Sequence, residues 1–284
     1  MTTPPTYAVA SAVSPSADPR ARFHDLLAAE WIKLRSLRST WIAYGATALA
    51  VIAFNVGTAY DTYTYWPARG AADRADFVRA GIPLQEAFTA NAAMVMMLAL
   101  AAIGAVAITA EYSTGTIRTT FAAVPARRSV MAAKTAVVAA VATVFGALVA
   151  GASFGLTQAI LDERGAGVSI GHPGAWRVVT ASALLAPVAA LTGMAIGSLI
   201  RHTSATMVGA VVLLLVLPLA FTDGRHWSAV AGHATLFQAW SRLVEVGAPR
   251  TEFPWTTGGA WTAYALWALA AAALAITSAH RRDQ

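Results

Sequence analysis

Long apolar runs alternate with short polar ones along this chain. A helix needs roughly 20 mostly apolar residues to cross the hydrocarbon core of a bilayer. Six segments approach that length: 40–60, 88–110, 136–156, 178–199, 205–221 and 259–279. The fifth is short at these limits, and Thr203 and Thr222 extend it. All other stretches carry charges or several Gly and Pro. The pattern predicts an all-α integral membrane protein with six transmembrane helices over 39–282.

Segment 22–38 is too charged to span. On a helical wheel Phe23, Leu26, Leu27, Leu34 and Leu37 share one face, with Trp31 at its margin. That is an interfacial amphipathic helix, over 21–38, leading into the first span. Glu30 falls in the middle of the apolar face, where an ionised carboxylate is costly unless paired. Either the helix rolls to bring Glu30 to headgroup water, or Glu30 pairs with a cation of the protein's own surface, such as Arg118 or Lys134. Residues 1–20 are rich in Thr, Pro, Ser and Ala, lack the apolar core of a signal peptide, and are expected to form a disordered cytoplasmic tail. The connections 61–87 and 222–258 are long enough for short helices. Within the second, 228–246 is expected to be one outer interfacial or re-entrant helix.

Composition agrees with a membrane environment. Hydrophobic residues make up 57% of the chain and charged residues 12%, with a mean hydropathy of +0.57, whereas soluble domains average roughly 25% charged. The excess of basic residues falls in short loops beside apolar spans, so it speaks to orientation rather than to nucleic acid, and no nucleic-acid partner is expected. Twelve of the twenty basic residues, including Lys33, Arg35, Arg38, Arg118, Arg127, Arg128, Lys134 and Arg201, fall on one side of the predicted layout. By the positive-inside rule that side and both termini are cytoplasmic, in an inner (cytoplasmic) membrane. Lys33 and Lys134 are the only lysines.

Several chemistries are excluded by the residues present. There is no cysteine. No Gly-Lys pair exists, so no phosphate loop of the P-loop type can form and the chain is not expected to hydrolyse ATP. Gly151-Ala152-Ser153-Phe154-Gly155 matches G-x-S-x-G, but none of the six histidines lies within a span to act as its base. Together with Gly193-x-x-x-Gly197 it instead offers two candidate helix-contact faces. His226 and His233 match no zinc spacing, and no metal site is expected. Pro187 and Pro218 lie inside spans four and five and are expected to kink them. Polar residues within the spans are few. Asn55, Asn91 and Ser153 are candidates for lining a pathway. No Asp, Glu, Lys or Arg falls in mid-membrane, which argues against an ion-driven carrier.

The polar loop 111–134 between the second and third spans concentrates the remaining signal. Glu111 closes the second span, Gly115 permits a sharp change of backbone direction, Thr116 to Ala123 can form a short surface helix, and Pro125 ends it. The run Glu111-Tyr112-x-x-Gly115-Thr116-Ile117-Arg118, then Pro125-x-Arg127-Arg128 and Lys134, resembles the permease subunits of type-2 ABC transporters, of the drug- and antibiotic-exporter kind. The upstream Glu30-Trp31-Ile32-Lys33-Leu34-Arg35-Ser36 resembles that family's N-terminal elbow. The resemblance implies a coupling helix in the loop that docks on a separate P-loop ATPase, with Glu111, Gly115, Thr116, Ile117, Arg118 and Arg127 coupling to it and Glu30 docking the elbow. It also implies ATP and Mg in that partner, no cofactor in this chain, and a homodimer or a heterodimer with a related permease in membrane lipid. A non-transport multi-pass protein, such as an assembly factor or sensor, is the alternative.

Overall fold

The computed structural model describes residues 22–221, 224–246 and 252–278. The expected tail 1–20 and the terminal Arg281 and Arg282 lie outside the described residues. Among the described residues 84% are helical and there is no strand. Helices α1 (Phe23–Ser36), α2 (Arg38–Tyr65), α3 (Ala71–Arg79), α4 (Ile82–Glu86), α5 (Ala90–Thr114), α6 (Thr116–Ala123) and α7 (Arg127–Asp162) are followed by α8 (Ala175–Ile200) and α9 (Thr203–Val211). A π-turn, Val212–Val216, leads to α10 (Leu217–Leu219), then α11 (His226–His233), α12 (Leu236–Val244) and α13 (Thr257–Thr277).

Among the described residues five helical stretches are long and apolar enough to cross a membrane: Arg38–Ala68, Ile82–Thr114, Arg127–Asp162, Ala175–Ile200 and Thr257–Thr277. The fifth predicted segment is a shorter apolar helix, Thr203–Leu219, and the π-turn interrupts its α-helical geometry. Pro218 explains the interruption. It has no N–H for the carbonyl four residues back and its ring crowds that carbonyl. Widening the preceding turn relieves both, and Leu217 N–H reaches back to the Val212 carbonyl.

The bundle is built around α8, whose buried residues run from Ala175 to Ser198. It runs unbroken through Pro187. Pro187 leaves the Ala183 carbonyl without its helical donor, and Gly146 of α7 backs onto that carbonyl so closely that a Cβ there would sit 2.0 Å from the oxygen. Helices α5 and α8 cross in the same close manner. A Cβ on Gly104 would lie 1.9 Å from the Ala190 oxygen, and one on Gly193 would lie 1.8 Å from the Ala101 oxygen. Of the two small-residue faces expected from sequence, Gly193 and Gly197 are therefore a packed crossing. A Cβ on Gly151 or Gly155 would meet nothing within 4 Å, and both glycines lie exposed on α7.

The segment 228–246 is two helices, not one. Thr235 caps α12 by accepting from the Gln238 N–H at 3.4 Å, and its own hydroxyl donates to the Gly232 carbonyl at 2.8 Å. These bonds fix the corner between α11 and α12. Leu236, Ala239, Trp240, Leu243 and Val244 of α12 are buried, and Trp240 Nε1 donates to Ser182 Oγ of α8 at 3.2 Å.

Candidate functional site

At the bundle end where α5 finishes and α7 begins, four charged side chains meet. Leu26 of α1 packs with Val130 and Ala133 of α7, which lays α1 against the first turns of α7. One turn further on, Glu30 is 4% exposed and Lys134 is 5% exposed. Lys134 Nζ donates to Glu30 Oε2 and, at 2.8 Å, to Glu111 Oε1. Lys33 Nζ donates to Glu30 Oε1 at 2.8 Å and to Glu111 Oε1 at 3.3 Å. Both lysines of the chain thus bridge both carboxylates, and the cluster is neutral. Buried charges persist only when so compensated. Burial would depress the Lys33 amine, but the hydrogen bond to Glu30 and the charges of Glu111 and Glu30 outweigh it and raise its pKa above the ordinary 10.5.

The cluster answers the question posed by Glu30. It does not roll to water; it pairs with Lys134, one of the two cations named from sequence. Arg118, the other, is exposed on α6. No local pattern in the sequence points to Lys33 as a second partner or to Glu111 as a second acceptor. The scarcity of lysine was the available signal: a chain with eighteen arginines that keeps two lysines places both at one site.

Beyond Glu111 the backbone turns at Gly115, with φ of +73°. A Cβ there would meet nothing within 4 Å, so the left-handed conformation, not space, selects glycine. Helix α6 follows over the residues expected. Ile117 is 6% exposed and belongs to the main core, and Phe121 packs against the same core, so two side chains pin α6. Thr116 shares a hydroxyl hydrogen bond with Thr114 at 2.8 Å. The Arg127 guanidinium lies 5.3 Å from the Phe121 ring centroid, closing the far side of the loop. Arg118, Thr119, Ala122 and Ala123 remain outward.

The end of α5 also holds the turn between α8 and α9. Arg201, at φ of +60°, stacks its guanidinium 4.9 Å from the Tyr112 ring centroid. The Thr203 hydroxyl donates to Thr109 Oγ1 at 3.1 Å. A non-glycine residue in the left-handed region costs of order 1–3 kcal/mol unless its surroundings hold it there. Residues 109–112 therefore contact α1, α7 and the α8–α9 turn together, a junction with no local sequence signature.

The three candidate pathway residues separate. Asn55 and Ser153 are 0% exposed. Asn55 Nδ2 donates to Ser153 Oγ at 3.0 Å, and Asn55 Oδ1 accepts from the Thr89 N–H at 2.9 Å and from the Thr89 hydroxyl at 3.1 Å. They tie α2 to α7 and to the start of α5. Asn91 is exposed on α5. No cluster of potential metal ligands occurs among the described residues.

Six elements thus converge on one end of an apolar bundle, with a short helix hung between two spans. Residues 26–223 match the family described as ABC-2 family transporter protein. The chain belongs to the ABC-2 transporter family. A comparison with curated proteins finds no match. The ABC-2 match begins inside α1, covers the four-charge cluster and α6, and ends before α11. It makes the chain a multi-pass membrane protein of the transport-permease kind.

Proposed function

We propose that this ABC-2 protein is the permease subunit of an ATP-driven exporter, energised by a separate P-loop ATPase that carries ATP and Mg. The observation behind this reading is the position of Glu111. It sits four residues before the hinge at Gly115, and both lysines bind it. A push on the outward face of α6 reaches α5 through the Gly115 turn and Ile117. The charge cluster then carries it to α1 and α7 without a break. In this role α1 is the elbow, α6 is the coupling helix, and Arg118 faces the ATPase. Arg127 braces Phe121 behind it.

The finer assignments follow. The helix Thr203–Leu219 is the fifth of six spans; at 17 residues it measures about 25 Å, a little under the roughly 30 Å hydrocarbon core. In this reading the end of the bundle at the α5–α7 loop and both termini are on the cytoplasmic side of the inner membrane, which the basic residues clustered near that loop support. Two permease chains, identical or related, enclose a pathway to which Asn91 contributes directly. Asn55 and Ser153 reach it only if α2 and α7 part. Affinity purification of the tagged chain from its native membranes tests the partner. Recovery of a P-loop ATPase that loses association in Arg118→Glu supports the reading. A chain that purifies without any ATPase supports the alternative of a non-transport membrane protein.

A further inference from the structure

The opposite end of the bundle holds a cavity of about 350 Å³ that the coupling reading does not use. It lies between the start of α5, α11, α12 and Trp255. Most of its wall falls beyond residue 223, outside the family match.

The α12 wall is patterned. Gln238, Ser241, Arg242 and Glu245 recur at i, i+3, i+4 and i+7, so they form one stripe of the helix, opposite the apolar residues packed on α8 and α13. A polar stripe on a short helix ordinarily faces bulk water. Here all four residues line the cavity and are only partly exposed. Arg242 is held in place: Nε donates to the Trp255 carbonyl at 2.7 Å and Nη1 to Glu245 Oε2 at 3.0 Å. Arg177 of α8 donates to the Glu245 carbonyl at 2.7 Å and fixes the end of the helix. The two charges of the stripe neutralise each other. By contrast, the side chains of Gln238 and Ser241, and of Gln85 on the α4 side, make no hydrogen bond with the described residues. Aromatic groups complete the wall, with His233 stacked on Trp255 at 4.5 Å and an interplanar angle of 6°.

We infer that this cavity is a binding site for an uncharged, polyhydroxylated ring: a saccharide moiety of one or two rings. Each carboxamide offers a donor and an acceptor side by side, the arrangement that adjacent hydroxyls complement. Arg242 and Glu245, the guanidinium- and carboxylate-bearing residues of the lining, pair with each other and add polar contacts. The volume is at the small end for ligand sites, which suits a compact ring rather than an extended chain. The site does not depend on the exporter reading, because it is built by α11, α12 and the α4–α5 corner whatever the loop at the other end does.

The test uses the full chain in phospholipid nanodiscs free of glycoside detergent, titrated with methyl β-glucoside and cellobiose and followed by tryptophan fluorescence, since Trp255 lines the cavity. A saturable change is expected, with glucose 6-phosphate and the acyclic sorbitol binding more weakly. Gln238→Leu and Gln85→Leu, each losing hydrogen bonds to the ring, are expected to weaken half-saturation about threefold to tenfold, with unchanged elution and thermal midpoint. Ser241→Ala, a smaller change, guards against misfolding of the leucine variants and should weaken binding in the same direction. Absence of saturation with either sugar, titrations unaltered in all three variants, or tighter binding of the phosphorylated sugar would overturn the assignment.

Discussion

Lys134 of α7 and Glu30 of α1 are 104 residues apart in sequence and form a direct, buried ion pair. Glu111 of α5 accepts from the same ammonium, so one lysine holds three helices. Removing either partner leaves the buried cluster with a net charge, although the one that remains keeps its second contact, Glu30 with Lys33 or Lys134 with Glu111. Glu30→Gln or Lys134→Gln is expected to destabilise the solubilised protein by about 3–5 kcal/mol, the range for breaking a buried pair. Lys33→Gln, whose side chain is 35% exposed, should cost about 1 kcal/mol or less. The exchange Glu30→Lys with Lys134→Glu should recover none of the loss, because it sets the new ammonium against Lys33 and the new carboxylate against Glu111. Thermal unfolding of the four variants measures this, and equal effects of Lys33→Gln and Lys134→Gln would refute the ranking.

The raised Lys33 pKa fixes a pH dependence. A group whose pKa is higher in the folded state contributes stability that is full below its unfolded value and lost as pH climbs through the folded one. The stability difference between wild type and Lys33→Gln should therefore stay constant from neutral pH to about 9.5, then shrink as pH passes the ordinary lysine value of 10.5. Denaturation across that range checks it; a difference that shrinks on acidification toward pH 7 would contradict it.

Glycine substitutions should separate the packed crossing from the open face. Gly193→Ala and Gly104→Ala insert a methyl against backbone carbonyls of the facing helix and should destabilise by about 1–3 kcal/mol. Gly151→Ala, with open space around it, should be neutral or stabilising by up to about 1 kcal/mol, because alanine favours helix. Monodispersity and thermal midpoint of the purified variants report the contrast.

Much of this fold was legible because lipid-crossing helices announce themselves by length and apolarity. The bend at Gly115 and the helix after it were equally legible, since both rest on local backbone chemistry. Glu30 was readable as a problem, an acid on an apolar face, and its partner was readable as a short choice of cations. What the sequence hid is non-local. Nothing near Tyr112 points to Arg201, and nothing near Gly193 says that it, rather than Gly151, meets another helix. The break at Thr235 was masked by an apolar run that continues through it, and the π-turn before Pro218 needed the widened geometry to be seen. The polar stripe of α12 is non-local in the same sense, since nothing in its sequence separates a wet face from a cavity wall.

Orientation is open to direct labelling, because the chain has no native cysteine. Ala126 and Trp227 are exposed near opposite ends of the bundle. In intact cells a membrane-impermeant maleimide should modify Trp227→Cys and spare Ala126→Cys until the membrane is opened. The reverse pattern would invert the topology.

The central claim is that energy from a separate ATPase enters through α6 and passes to the bundle by way of Glu111. Its most direct measurement is ATP hydrolysis by the ATPase reconstituted with this chain in lipid. Wild-type permease should change the ATPase rate, and both Arg118→Glu on α6 and Glu111→Gln in the cluster should abolish that change. Arg118→Glu should lose association as well, whereas Glu111→Gln should leave the ATPase bound. A complex in which either variant regulates hydrolysis as wild type does would contradict the account.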